Sequence, residues 1–290
     1  MARVRSSSAF SRRDVLKGVA AAGVGTLTGT LAYGAQYERH RLEITRTQLP
    51  VLGLPPPLEG LRIAFLSDFH HSETGPRTLV EAAVRLAMDE KPDLILLGGD
   101  YVTWGSGPDR RYVQPVAEML GALHAPHGVF AVLGNHDDDR DMPAALSQRG
   151  IAVLRDARTR LTIRGETLDL AGIRYWTRRA SEIAQVLKGA DPMVILLAHT
   201  PMRLTEAAAL SVPLVLSGHT HGGQIVLPGL GAVAAREFPV IAGTGRRDNT
   251  TIFVSRGVGT VYVPIRLNCP PEVAILTLVR GAAAPVGPKD

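Results

Sequence analysis

The sequence predicts a single α/β domain with a mixed sheet system. Short apolar runs rich in valine, isoleucine and leucine alternate along the chain with segments of helical periodicity, as strands and helices of one sheet system do. With 290 residues, the chain is long enough for one large domain with a sizeable core. In addition, polar residues directly follow five of the apolar runs, as in domains that bind ligands at the carboxyl edge of a sheet. These three observations together favour an α/β architecture.

The apolar runs have the length of buried strands and are bounded by turn residues. Five such runs occupy residues 61–67, 93–97, 129–133, 194–198 and 214–217. Residues 161–173 alternate apolar and polar side chains around Gly165, which predicts a hairpin with its turn at that glycine. Two further strands are expected late in the chain, at residues 251–255 and 273–279.

Helical periodicity is clearest at residues 76–90. Leu79, Ala83 and Leu86 recur there at helical spacing, and Pro76 lies near the first turn. Further helices are predicted at residues 112–120, 143–148, 181–187 and 202–210. Each predicted helix lies between two predicted strands.

Composition and charge exclude several classes of protein. Hydrophobic residues make up 45% of the chain and charged residues 20%, which excludes a disordered, collagen-like or coiled-coil protein. The formal net charge of +5 would by itself suggest a polyanionic partner. However, residues 1–35 contain five basic residues and one aspartate, so the remainder of the chain is close to neutral. Nucleic acid is therefore not expected as a partner, and a nuclease is a distant alternative.

The amino-terminal segment resembles a twin-arginine export signal. Arg12 and Arg13 precede an uncharged run at residues 18–35 that is rich in glycine and threonine and only weakly hydrophobic. We therefore expect the twin-arginine export machinery as a partner, and a location in the periplasm, in the cell envelope or on the outer side of the membrane. The run is just long enough to span a bilayer, so a cleaved signal, a retained membrane anchor and an ordinary first helix are all open interpretations.

These patterns divide the chain into four segments. Residues 1–35 are predicted as the signal or anchor, and the proline-containing residues 36–60 as an extended lead-in. Residues 61–280 are predicted as the catalytic domain, and the small-residue segment 281–290 as a flexible tail. The single cysteine, Cys269, cannot form an internal disulfide and is expected to be buried.

Carboxylate, amide and imidazole side chains follow five predicted strands at their carboxyl ends. They are Asp68 and His70, then Asp100, then Asn135, His136 and Asp137, then His199, and finally His219 and His221. In an open α/β sheet, ligands bind at this edge, so we expect these side chains to lie close together. Residues two apart on an extended backbone point the same way, which would direct Asp68 and His70 to one site. The same argument pairs His219 with His221.

The donor set is typical of a two-metal site. Carboxylate oxygen and imidazole nitrogen together suit manganese, iron, zinc or cobalt. The number of donors exceeds what one ion needs, which argues for two divalent ions that share a carboxylate. Two ions about 4 Å apart can activate a bridging water and neutralise a phosphoryl group during its transfer.

The order of these motifs is similar to that of the calcineurin-like metallophosphoesterases. The set Asp-x-His, Gly-Asp, Gly-Asn-His-Asp, His and Gly-His-x-His lies within residues 61 to 279. The resemblance implies a four-layer α-β-β-α sandwich with two mixed sheets, and hydrolysis of phosphate esters at a dinuclear metal site. In the ligand set that it implies, Asp68, His70 and His221 hold the first metal, Asn135, His199 and His219 hold the second, and Asp100 bridges the two. His136 would face the phosphate and either stabilise the transition state or protonate the leaving oxygen, and Asp137 would orient its imidazole.

A finer resemblance is to exported or membrane-associated bacterial members of that family. It is carried by residues 218–225, 254–259 and 270–272, together with Arg266. It implies a small-molecule or lipid phosphate as the substrate, broken at a phosphodiester or pyrophosphate bond. The pyrophosphate of a lipid-linked nucleotide of the UDP-diacylglucosamine type is the alternative substrate.

Four residues are candidates for substrate binding. Arg174 and Trp176 stand where that bacterial subgroup often has an acidic pair, His71 follows the first motif directly, and Arg266 belongs to the finer resemblance. A non-catalytic scaffold with the same fold is the alternative of another class. Such scaffolds lose metal ligands, whereas every expected ligand is present in this chain.

Overall fold

The computed structural model of the chain describes residues 12–103 and 110–282. Two six-stranded sheets pack face to face, and helices cover the outer face of each. The predicted four-layer α-β-β-α sandwich with two mixed sheets is therefore confirmed. Residues 1–11 of the predicted signal and residues 283–290 of the predicted tail lie outside the described residues.

The strands are numbered in chain order through the described part of the chain. They are β1 (Glu43–Leu52), β2 (Arg62–Leu66), β3 (Leu94–Leu97), β4 (Val129–Ala131), β5 (Ala152–Val153), β6 (Ala157–Ile163), β7 (Glu166–Gly172), β8 (Val194–Leu197), β9 (Leu214–Ser217), β10 (Val226–Leu227), β11 (Gly231–Ala232), β12 (Gly243–Arg247), β13 (Thr250–Val254) and β14 (Glu272–Gly281). The helices are α1 (Arg12–Gln36), α2 (Arg77–Asp89), α3 (Val113–Leu120), α4 (Asp141–Ser147), α5 (Ala180–Val186) and α6 (Leu204–Ala209). The predicted strands, hairpin and helices are confirmed, with bounds that differ by a few residues.

Each sheet has a parallel centre and antiparallel pairings. The first has the order β1-β14-β2-β3-β4-β5, in which β2 to β5 are parallel and β14 pairs antiparallel with β2. The second has the order β12-β13-β9-β8-β7-β6, in which the outer strands β12 and β6 are antiparallel to their neighbours. The short pair β10 and β11 stands apart from both sheets.

Three apolar layers hold the sandwich together. Between the sheets, Phe65 of β2 meets Phe253 of β13 edge to face, with ring centroids 6.4 Å apart. Helices α2, α3 and α4 pack on the outer face of the first sheet, and helices α5 and α6 on that of the second. Because helices and the facing sheet cover the central strands on both sides, these strands are almost wholly apolar; all four residues of β3 are buried leucine or isoleucine.

Strand β1 was not predicted from the sequence. It lies within the proposed lead-in and pairs in parallel with β14 from Glu43 opposite Glu272 to Leu52 opposite Gly281. Pro50 argues against a strand interior, but β1 is an edge strand, where a missing N–H can face away from the sheet. The sheet therefore begins well before residue 61.

Helix α1 begins with the arginine pair and ends against the domain. Its apolar side chains are largely exposed, among them Leu16, Val24 and Leu27. At its carboxyl end, the carbonyl oxygen of Gly34 accepts a hydrogen bond of 3.2 Å from the Arg266 backbone N–H. Through residues 12–103 and 110–282, α1 included, no helix combines the length and the apolar character needed to cross a membrane.

Candidate metal centre

The carboxyl ends of strands from both sheets meet at one place. Asp68 and His70 follow β2, Asp100 follows β3 and Asn135 follows β4, while His199 follows β8 and the pair His219 and His221 follows β9. Both sheets therefore contribute to the site, and the structure brings the predicted ligands together in two clusters.

The first cluster consists of Asp68, His70 and His221, whose potential ligand atoms all lie within 4.8 Å of one another. The Nε2 atoms of His70 and His221 are 3.0 Å apart, and His221 Nε2 is 3.6 Å from Asp68 Oδ1. All three residues are buried. Two imidazole nitrogens and a carboxylate oxygen thus converge on one point, which is the arrangement that a divalent ion requires.

The second cluster consists of Asp100, His199 and His219, again with potential ligand atoms within 4.8 Å of one another. His199 Nε2 lies 3.1 Å from Asp100 Oδ2 and 3.2 Å from His219 Nδ1. Asp100 Oδ2 also lies 3.6 Å from Nε2 of His70 in the first cluster. The Asp100 carboxylate therefore stands between the two clusters.

Several buried polar atoms have no hydrogen-bond partner among the described residues, and two of them belong to predicted metal ligands. These two are Oδ1 of Asn135 and Nδ1 of His221. A buried amide oxygen left without a partner costs on the order of 1–3 kcal/mol, and coordination of a cation would remove that cost. Asn135 lines the same cavity as Asp100 and His219. Carboxylate, imidazole and amide donors at this place therefore fit bound divalent metal.

Burial keeps most of the imidazoles neutral, which is the form that binds metal. It lowers the pKa of His70 to about 3 and that of His219 to about 3, and it lowers the pKa of His221 well below its usual value. Burial also opposes the charged form of His199, but the adjacent Asp100 carboxylate outweighs it and raises the pKa of His199 to about 9. The carboxylate of Asp100 thus favours positive charge on its His199 side.

The turns that carry the predicted ligands do not have the extended backbone that was expected from the sequence. Five predicted ligands have left-handed backbone: Asp68 (φ 55°), His70 (φ 46°), Asp100 (φ 56°), His219 (φ 73°) and His221 (φ 52°). The argument that an extended backbone aligns each pair is therefore wrong. The backbone turns sharply at each set of ligands, directly after a strand ends. Such conformations cost energy, persist where the surrounding structure enforces them, and cluster at functional sites.

Two glycines make room for the carboxylates. A Cβ built on Gly134 would overlap the carboxylate of Asp100, and a Cβ built on Gly218 would overlap that of Asp68. The glycines of the Gly-Asn-His-Asp and Gly-His-x-His motifs are therefore needed for close approach of one strand end to another. Neither of these two residues has positive φ, so the requirement is space and not backbone freedom.

His136 lies at the boundary of the site. Its backbone N–H donates a hydrogen bond of 2.8 Å to Asp100 Oδ1, and its ring centroid is 4.9 Å from that of His70. Its side chain lines both of the larger cavities that open beside the clusters. An imidazole in this position faces any group that lies over the clusters.

Asp137 binds the backbone of two ligand turns. Its carboxylate accepts backbone hydrogen bonds of 2.7 Å from Asp100, 2.7 Å from Tyr101 and 2.8 Å from Gly134. These hydrogen bonds tie the turn after β3 to the turn after β4, and orientation of the His136 imidazole by Asp137 stays a prediction. Asp137 is therefore a positioning residue for Asp100.

Two cavities flank the clusters. The first, of about 380 Å³, is lined by Asp100, His219 and His221 and otherwise mainly by apolar side chains. The second, of about 610 Å³, is lined by residues 133–139 and by the segment Arg174, Tyr175 and Trp176. Of the four candidate substrate-binding residues, Arg174 and Trp176 thus lie beside the site.

The other two candidates do not line these cavities. The Arg266 guanidinium is wholly buried and donates to the carbonyl oxygens of Arg256, Gly257, Gly259 and Cys269. The His71 ring is also buried, with Nδ1 2.9 Å from the carbonyl oxygen of Gly75 and its ring nearly perpendicular to that of Tyr112. The expectation that Arg266 and His71 bind substrate is therefore corrected: the first holds a loop together and the second packs in the core. Cys269 is buried, as predicted.

Some residues of the site carry no recognisable sequence signal. The rings of Tyr175 and Phe238 lie 5.5 Å and 5.2 Å from that of His219. Tyr262 lines both cavities. Phe238 and Tyr262 are isolated aromatic residues in loops, and only the three-dimensional arrangement places them at the metal ligands.

Comparison with known proteins agrees with this geometry. The family model described as calcineurin-like phosphoesterase matches residues 61–223. Over 282 residues the chain is 30% identical to the uncharacterized metallophosphoesterase YkuE of Bacillus subtilis (strain 168), covering 93% of this chain and 98% of that protein. Over 227 residues it is 33% identical to the phosphodiesterase YaeI of Escherichia coli (strain K12), covering 75% of this chain and 82% of that protein.

A further relative is the uncharacterized metallophosphoesterase of Aquifex aeolicus (strain VF5). It is 35% identical over 251 residues, covering 83% of this chain and 93% of that protein. The family match includes all the strand-end motifs from Asp68 to His221, and both metal-ligand clusters lie within it. The chain therefore belongs to the calcineurin-like phosphoesterase family, and it is a metal-dependent hydrolase of phosphate esters.

Proposed function

We propose that the protein is an exported enzyme that hydrolyses phosphodiester or pyrophosphate bonds with two divalent metal ions. The observation that carries this proposal is the position of the Asp100 carboxylate. Its Oδ2 atom is 3.1 Å from Nε2 of His199 and 3.6 Å from Nε2 of His70, so one oxygen reaches both clusters. A carboxylate shared between two sets of ligands is the feature expected of a paired metal site.

The chain's own residues would divide the work as follows. Asp68, His70 and His221 would hold one ion, Asn135, His199 and His219 the other, and Asp100 would contact both. When bound, two divalent ions such as manganese, iron, zinc or cobalt supply an activated water and neutralise charge on the phosphoryl oxygens. His136, at the edge of both cavities, would face the phosphoryl group and donate a proton to the departing oxygen.

The experiment that tests this function is chelation followed by reconstitution. The purified full-length protein is dialysed against a chelator, and hydrolysis of bis-p-nitrophenyl phosphate and of p-nitrophenyl phosphate is measured before and after addition of Mn²⁺. We expect activity to disappear on chelation, to return with about two bound ions per chain, and to favour the diester. The proposal would be wrong if the protein bound no metal and showed no turnover with manganese, iron, zinc or cobalt.

Export rests on the amino-terminal segment. Arg12 and Arg13 have exposed side chains at the start of α1, where the export machinery could reach them. Replacing both by lysine is expected to leave the protein inside the cell, whereas the same replacement of Arg39 and Arg41 is expected to change nothing. Cell fractionation with an antibody against the protein measures the result, and an unchanged distribution of the Arg12 and Arg13 variant would contradict the proposal.

A further inference from the structure

Tyr262 occupies an unusual position for an aromatic residue. Its side chain is 92% exposed, and its backbone is in the left-handed region at φ 60°. A left-handed backbone is uncommon outside glycine, above all for a bulky residue, and here it presents a large ring to the surface. Such a combination persists when the surrounding structure enforces it, and it is frequent where a residue acts on a ligand.

Gln224 holds the backbone around Tyr262 in place. Its Nε2 donates hydrogen bonds to the carbonyl oxygens of Val261 (3.1 Å) and Val263 (2.9 Å), and its Oε1 accepts one from the Val261 N–H (2.9 Å). Gln224 is buried, and it follows the metal-ligand candidate His221 by three residues. The two neighbours of Tyr262 are thus fastened to the turn that supplies a ligand, which sets the distance between the Tyr262 ring and the clusters.

Tyr262 lies where the two cavities meet. It lines both of them, as does His136. Their volumes, about 380 Å³ and 610 Å³, lie in the usual range for ligand pockets. A phosphoryl group held over the clusters would therefore have one cavity on each side, with Tyr262 between them.

The two cavities differ in chemistry. Beyond the metal ligands, most side chains that line the first are apolar, and Glu237 is the charged one: Ile225, Val233, Ala234, Ala235, Phe238, Val261 and Val263 against His136, Thr220, Gln224 and Glu237. The second contains the aspartates of residues 137–139 together with Arg174 and the exposed ring of Trp176. The Arg178 guanidinium lies 5.5 Å from the Trp176 ring, so this side offers an aromatic face and charged groups. One cavity suits an alkyl chain and the other suits a planar, polar group.

We infer that Tyr262 is a specificity-determining residue that separates the two organic arms of a phosphodiester substrate, with an apolar arm in the first cavity and a planar, polar arm in the second. This inference rests on the proposed function. A monoester has one organic arm and would leave one cavity without a ligand group. The substrate class is accordingly an asymmetric, amphiphilic phosphodiester.

The test compares diesters that share one leaving group. The manganese-loaded full-length protein is assayed with methyl p-nitrophenyl phosphate, octyl p-nitrophenyl phosphate and thymidine 5′-p-nitrophenyl phosphate. We expect kcat/KM for the octyl ester to exceed that for the methyl ester about tenfold or more, because even a single methylene in an apolar pocket is worth roughly tenfold. Tyr262→Ala is expected to bring the octyl-to-methyl ratio close to one, whereas Tyr262→Phe is expected to keep it.

Two further variants and a control test which cavity binds which arm of the substrate. Val233→Ser is expected to weaken selection of the octyl ester alone, and Trp176→Ala to weaken that of the thymidine ester alone. Tyr37→Ala removes another exposed tyrosine, 57% exposed and outside both cavities, and is expected to leave every ratio unchanged. Calorimetric titration of octyl phosphate and of methyl phosphate into the same proteins gives a readout that does not depend on turnover.

The outcomes separate this inference from the proposed function. Turnover of all three diesters with equal kcat/KM in the unmodified protein, or an equal loss for all three in Tyr262→Ala, would overturn the inference and leave the hydrolase intact. Absence of turnover of every diester would overturn the proposed function itself. Equal affinity for octyl and methyl phosphate in the titrations would count against the apolar arm in either case.

Discussion

Asp100→Ala is expected to lower kcat/KM for bis-p-nitrophenyl phosphate by about 10³-fold, at the upper end of what removal of one electrostatic group from an active site costs. Asp100 contacts ligands of both clusters and is almost completely buried. Its loss therefore removes the one carboxylate that both metal positions would share. Metal content measured by mass spectrometry is expected to fall together with the rate.

The control for this variant is Asp89→Ala. Asp89 is an exposed carboxylate at the carboxyl end of α2, outside both cavities, and its removal is expected to change neither rate nor metal content. Far-ultraviolet circular dichroism of the Asp100→Ala protein separates loss of the site from loss of the fold. An Asp100→Ala protein that keeps both ions and the full rate would show that the two clusters do not work as a pair.

His136→Asn is expected to lower the rate by about 10²–10⁴-fold while leaving the bound metal in place, since this is the range for a general acid or base. The backbone N–H of residue 136 can still donate to Asp100 Oδ1, so the turn that carries Asn135 is preserved. The rate should therefore fall in this variant while the metal content stays constant, whereas in Asp100→Ala both should fall. His124→Asn, at an exposed histidine outside both cavities, is the matched control.

Comparing substrates with different leaving groups distinguishes two roles for His136. If its imidazole protonates the departing oxygen, the loss is larger for an alkyl diester, whose alkoxide needs the proton, than for a p-nitrophenyl diester, whose phenolate leaves without one. If His136 only stabilises charge on the phosphoryl group, both substrates lose the same factor. A loss that is equal across leaving groups would therefore contradict the assignment as general acid.

Much of the fold could be read from the sequence because the signals are local. The buried central strands are short apolar runs between turn residues, and the helix at Arg77–Asp89 has an apolar face at regular spacing. Strand β1 escaped prediction because its sequence is polar and contains Pro50, features that are tolerated only because it lies at a sheet edge. Whether a strand is central or at an edge depends on partners distant in the sequence, in this case on β14.

The metal-ligand candidates were also predictable, but the roles of their neighbours were not. Asp137 directly follows His136 in the sequence, yet its hydrogen bonds reach back 36 and 37 residues to the backbone of Tyr101 and Asp100. Arg266 belongs to a motif that suggested substrate contact, and the fold instead encloses its guanidinium among backbone carbonyl oxygens. Identical side chains serve catalysis or structure according to what surrounds them, and a list of residues does not contain that information.

What the sequence determines and what only the folded structure determines therefore differ for a physical reason. Residue types and their order suffice for the family and for the chemistry of the donors, because each depends on side chains and spacings within short stretches of chain. The left-handed turns at the ligands, the position of Asp100 between two clusters and the placement of Tyr262 between two cavities emerge only on folding. They require strand ends from both sheets to meet, and that meeting is produced by the apolar layer between the sheets and not by any single segment.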